Sequence, residues 1–198
     1  MSEPRRLTLP VSEREVRSLK AGDRVILDGP LYGIRDATQI ALFDQGRATR
    51  FDLSGHAVIH TAPNVRRVPG GFEPVCVGTT TSARMERFTR PLMERLGVRI
   101  VIGKGGLLED SAAAFAELGG VYLAVNGGCA AIETTWIERI EDVDLLDLDP
   151  ECLWRFAVKD FGPLLVAMDA WGNSLYAERR AVVARNRAAV LAELGLRP

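Results

Sequence analysis

The sequence predicts an α/β fold whose sheet is mixed and has a parallel core. Three observations carry that expectation. From Pro74 onward, short apolar runs alternate with helical segments; the runs end in glycine-containing turns at Gly78, Gly103 and Gly127; and the part before Pro74 is strand-rich. Two β-α units in a row favour parallel neighbours, because parallel strands need a crossover long enough to hold a helix. With 198 residues and 47% hydrophobic content, the chain is expected to form one domain over 1–198 around a core of its own.

Taken in order, Ser12 and Glu15 have the spacing of a capping box, which satisfies free backbone donors at a helix start, and a short helix over 13–19 follows. A strand is expected over 24–28, ended by Gly29-Pro30. Asp36 then caps a helix reaching about residue 44, and another strand covers 57–61. The first β-α unit is a strand at 74–77 and a helix over 82–96, stopped by Gly97 and kinked or split by Pro91. The second is a strand at 98–102 and a helix over 110–118, stopped by Gly119-Gly120. A strand at 121–125 leads to Asn126-Gly-Gly-Cys129, a permissive turn that opens a small-residue helix. Two apolar strands, 153–158 and 164–168, flank the turn-like 160–163 and read as a hairpin. Val182, Val183, Val190, Leu191 and Leu194 among arginines suit one amphipathic helix at about 177–195.

Charge and cysteine usage narrow the function classes. Lys+Arg number 25 against 26 Asp+Glu, a formal charge of −1, so no bulk positive field exists to hold nucleic acid or an anionic membrane. Anion recognition must therefore be local. Cys76, Cys129 and Cys152 are odd in number and widely spaced, which argues against a disulfide framework and for a reducing compartment. The start is polar and basic, and no run approaches the roughly 18 apolar residues of a membrane span, so a cytoplasmic location is expected.

Two motifs carry chemistry. Gly78-Thr-Thr-Thr-Ser-Ala-Arg84 enters a helix through three hydroxyls with a guanidinium one turn inside it. Either Thr79, Thr80 and Thr81 cap that helix and Arg84 lies on the surface, or free backbone donors, Ser82 and Arg84 together hold a carboxylate or phosphate. Gly103-Lys-Gly-Gly106 displays Lys104 on a tight loop where backbone comes close to a ligand, although a solvated turn lysine is the plain alternative. The glycine spacing and the lysine-serine ending of a phosphate-binding P-loop are missing. Arg35-Asp36 adds a cation at another strand-to-helix junction. His56 and His60 lack the spacing of a metal pair and read as strand or loop residues, so no metal ligands are assigned.

These two motifs, with Arg35-Asp36, Asn126-Gly-Gly-Cys129 and the stretch from Leu153-Trp154 through Lys159-Asp-Phe-Gly-Pro163 to Asp169 and Gly172-Asn173, resemble the β subunit of the iron-sulfur hydro-lyases. That family comprises the L-tartrate dehydratases and the two-subunit class I fumarases, and the similarity runs through nearly the entire chain. The resemblance implies a swivelling β/β/α domain docked on an α subunit, for example two of each. The α subunit would hold a 4Fe-4S cluster with one iron open to substrate, and the active site would lie between the subunits. By motif position, Arg35, Arg84 and Lys104 are expected to bind the carboxylates of a hydroxy diacid, with Thr80 near the carbon-bound proton and Thr81 and Ser82 beside it. Thr80 and Lys104 are the expected catalytic pair. Three departures stand out: Thr79 replaces a usual proline, Gln39 replaces a histidine, and Ala62 replaces a glycine. They motivate a second reading, a diverged module that binds a small dicarboxylate or phosphate without catalysis.

Overall fold

The computed structural model describes residues 3–128 and 130–196. Cys129, in the turn singled out above, lies outside the described residues. The main sheet has seven strands in the order β1-β2-β3-β6-β7-β9-β8, with β1 Arg5–Thr8, β2 Arg24–Ile34, β3 Ala57–His60, β6 Ile100–Gly103, β7 Val121–Ala124, β8 Ile137–Asp144 and β9 Leu153–Met168. β4 Asn64–Val68 and β5 Gly71–Cys76 form a separate antiparallel pair. β1, β2, β3, β6 and β7 are mutually parallel, whereas β9 runs antiparallel to β2, β7 and β8. The mixed sheet with parallel strands agrees with the expected class. Because β9 pairs with both β7 and β2, the pairings β2-β3-β6-β7-β9 return to β2 and close a ring.

Alternation along the strands sorts the core into two faces. Ile59, Ile100, Ile102, Val121 and Leu123 pack with Trp154 and Phe156 in one cluster. Their strand neighbours Val58, Val101 and Tyr122 pack with Leu92, Met93, Ala114 and Phe115 of the helices in the other. Successive side chains point to opposite faces, so apolar runs with no polar alternation mark strands covered on both sides. The helices are α1 Glu13–Arg17, α2 Asp36–Phe43, α3 Thr89–Leu96, α4 Glu109–Leu118, α5 Ala130–Thr135 and α6 Leu175–Glu193. α1 carries the expected capping box, with Ser12 Oγ accepting from Glu15 N at 3.3 Å and Glu15 Oε2 accepting from Ser12 N at 2.8 Å.

Six expectations are corrected. β2 does not stop at Gly29-Pro30: Gly29 pairs with Val158 and Pro30 with Ala157, and the proline, which has no N–H to give, sits beside a ladder already irregular between Leu27 and Gly29. Asp36 does not cap α2 but forms its first turn, the cap position being Arg35. The strand before the threonine motif belongs to the β4–β5 hairpin, so that motif does not leave the parallel sheet. The helix over 82–96 is split as expected, just before Pro91, but its first part, 82–88, is a 3-10 helix and only 89–96 is α-helical. Residues 153–168 are one long strand and not a hairpin: both halves pair with β2, and Asp160 at φ +54° bends the strand without reversing it. The C-terminal helix exists, but none of its residues is buried, so its apolar side chains do not pack as an amphipathic face on this core. Among the described residues no helix is long and apolar enough to cross a membrane.

Candidate active site

Arg35 is the first residue beyond β2, and its extended backbone (φ −146°) turns the chain into α2. Asp36 in the first turn of α2 is favoured there by the helix dipole and is gripped by Arg84 Nη2 at 2.8 Å, with Arg35 Nε at 3.5 Å. Burial works against the Asp36 carboxylate, but the Arg84 hydrogen bond and charge hold it below its ordinary range. Arg35 Nε also approaches Glu151 Oε1 at 3.3 Å, yet it is buried without a hydrogen bond of proper geometry. The two guanidinium groups thus converge on one carboxylate.

The threonine motif is stitched between the ends of two strands. Thr80 N donates to His60 O at 2.7 Å, at the end of β3, while Thr81 bridges Lys104 and Ser82 N donates to Lys104 O at 2.9 Å, just beyond β6. Thr79 N donates to Glu133 Oε2 at 3.2 Å and Val77 N to Thr134 Oγ1 at 2.8 Å, so α5 clamps the segment leading in. The backbone donors of Thr79, Thr80 and Ser82 are therefore already used. The helix itself begins at Ser82, so Thr79 and Thr80 precede it and their amides do not serve as the free donors of its first turn.

Thr80 Oγ1 accepts from Arg84 Nη2 at 3.3 Å, which places a hydroxyl beside a guanidinium. The hydroxyl of Ser82 turns the other way. It is buried, 2.9 Å from His60 Nδ1 and 3.0 Å from Tyr122 OH, so Ser82 organises the floor and does not face a ligand. A Cβ on Gly103 would lie 2.0 Å from Ser82 Oγ, which explains the first glycine of the lysine motif. Lys104 is partly exposed, and its Cδ lies 3.0 Å from where a Gly127 Cβ would stand, so the permissive turn makes room for the lysine stem.

Sequence reasoning missed two residues. Glu133 is buried under Thr79, and burial pushes its carboxyl up to about 7, with the Thr79 N–H and the Lys104 charge pulling the other way. Nothing in an alanine-rich helix start marks that glutamate; only the tertiary fold sets it beside the motif. His60, read as a plain strand residue, is fully buried and pushed down to about 4 by that burial. Its Nε2 and both amide atoms of buried Gln39 have no hydrogen-bond partner among the described residues. His56 is a packing residue, edge-on to Tyr32 at 5.2 Å.

Arg35, Arg84 and Thr80 thus meet around Asp36, and Lys104 joins them through the main chain of Thr81 and Ser82. Comparison with known proteins gives the family. The L(+)-tartrate dehydratase subunit beta of Escherichia coli (strain K12) is 38% identical over 192 residues, covering 95% of this chain and 94% of that protein. A Methanocaldococcus jannaschii protein provisionally given the same name is 35% identical over 173 residues, 85% of this chain and 89% of its own. A Geobacillus stearothermophilus protein provisionally named fumarate hydratase class I is 40% identical over 179 residues, 88% of this chain but only 34% of its own. The sequence pattern described as Fumarase C-terminus matches residues 2–179, a span that takes in all of the site just described, and the chain accordingly belongs to the fumarase C-terminus family.

Proposed function

We propose that this chain is the β subunit of an iron-sulfur hydro-lyase, a single swivelling β/β/α domain that helps dehydrate or hydrate a hydroxy dicarboxylate of the L-tartrate or malate type. The observation that carries the reading is the Arg84 guanidinium. Among the described residues its bonds to Asp36 and Thr80 both leave through Nη2, so the protons on Nη1 and Nε remain to be donated to a carboxylate, each as a single charge-assisted hydrogen bond. Removing a proton next to a carboxylate builds charge on that carboxylate. Fixed cations at Arg35, Arg84 and Lys104 stabilise that charge, and a single placed donor of this kind is worth about 10²–10³ in rate. Thr80 is the proton acceptor in this reading. A hydroxyl is a weak base, and the adjacent Arg84 charge favours its alkoxide form.

The three cysteines are widely spaced in the sequence, and the resemblance implies that the 4Fe-4S cluster is held outside this chain. In this reading the cluster belongs to an α subunit that completes the site. Names of relatives as subunit beta support such a partner. The test is co-production with the α subunit followed by assay on tartrate, malate and citramalate. The complex is expected to turn over one of them and the isolated chain none. Thr80→Val in the complex should lower kcat by about 10³ or more while KM stays near the parental value. Full activity of that variant, or of the isolated chain, would reject the reading.

A further inference from the structure

Beside Lys104 lies a cleft of about 590 Å³, floored by residues of β7 and β9 and walled by the start of α6. That volume is in the range typical of small-molecule sites, about 300–1,000 Å³. Val125 and Leu165 of the floor and Leu175 of the wall are aliphatic, and the polar side chains are Lys104, Arg179, Asn126 and Tyr176. No carboxylate lines it, although the chain carries 26. Most arginines here are paired: Arg180, next along the helix, reaches Glu109 at 3.1 Å. Neither Lys104 nor Arg179 takes part in an ion pair among the described residues. The cleft is therefore a local concentration of positive charge in a chain whose net charge is −1.

The geometry of Arg179 is set by Tyr176, one turn earlier on the same helix face. The Tyr176 ring lies 2.8 Å from where a Gly106 Cβ would stand and packs edge-on to Tyr122 at 6.2 Å, so the start of α6 is pinned to the very loop that carries Lys104. We propose that this cleft is an anion subsite, in which Arg179 and Lys104 take one carboxylate of the diacid while the aliphatic floor takes its carbon chain. The inference deepens the hydro-lyase reading by adding a substrate contact from the C-terminal helix.

Two measurements test it. In the α-β complex, Arg179→Met should lower kcat/KM for the diacid about tenfold, chiefly through KM, and Arg179→Lys should restore part of it. In the full chain alone, titration with malonate should shift the amide signals of Gly105, Gly127 and Tyr176 in the parent and not in Arg179→Met. Unchanged KM together with unchanged titration would overturn the inference. So would poorer recovery of the α subunit with Arg179→Met at unchanged KM, since that assigns the cleft to the subunit contact. Malonate binding needs no dehydration, so an inactive complex would count against the hydro-lyase reading while the titration still decides this one.

Discussion

At the scale of single residues, the site rests on side chains that point inward as much as on those that face a ligand. Ser82 shows this: its hydroxyl ties His60 to Tyr122 inside the core, while its neighbour Thr80 meets Arg84 at the surface. Ser82→Ala leaves the buried His60 Nδ1 without its partner, while Tyr122 keeps its bond to the Gly106 backbone, so it should destabilise the chain by about 1–3 kcal/mol in a denaturant titration. Threonine at that position, which keeps the hydroxyl, should lose less. From sequence the two hydroxyls were indistinguishable, because both lie in one run after Gly78. Only the 3-10 turn at 82–88 decides which of them faces in.

At the scale of elements, α5 acts on the motif by clamping Val77 and Thr79 through Thr134 and Glu133. Because Glu133 ionises near pH 7 close to Lys104, its anionic form offsets part of the lysine charge. In the complex, KM for the diacid is therefore expected to rise as pH passes about 7, and Glu133→Gln, which still accepts the Thr79 N–H, should flatten that rise. A KM profile identical in parent and variant would remove Glu133 from the site. The positions of Arg35 and Lys104 at element junctions were legible in sequence, since turns rich in glycine or polar residues mark where strands end, and so was that of Arg84 just inside a helix. The hairpin expected at 160–163 was not, because a bend within a strand and a reversal of the chain use the same residues: Asp, Gly and Pro. What separates them is the pairing of both halves of β9 with β2, a contact between residues more than a hundred positions apart.

At the scale of the whole molecule, two buried titrating groups pull stability in opposite directions. His60, pushed down from 6.5 to about 4, is neutral in the fold while still protonated in the unfolded chain, so stability is lost as pH falls through that window. Glu133, pushed up from 4.5 to about 7, is protonated in the fold while already ionised in the unfolded chain, so stability is lost as pH rises through its window. Thermal melts should show the parent falling relative to Glu133→Gln as pH rises from about 4.5 to about 7, since His60 is present in both proteins and its contribution cancels in the comparison. Coincident curves for the two proteins would contradict the raised value.

The closed circuit of β2, β3, β6, β7 and β9 bears on how a substrate gets in. Arg35, the threonine segment and Lys104 hang from three neighbouring staves of one hoop, and prising any two apart would tear ladders around the full circumference. Their spacing is thus fixed before any diacid arrives. In the complex proposed above, admission and release then fall to the gap between this chain and its companion, which widens and narrows as a seam while the hoop keeps its shape.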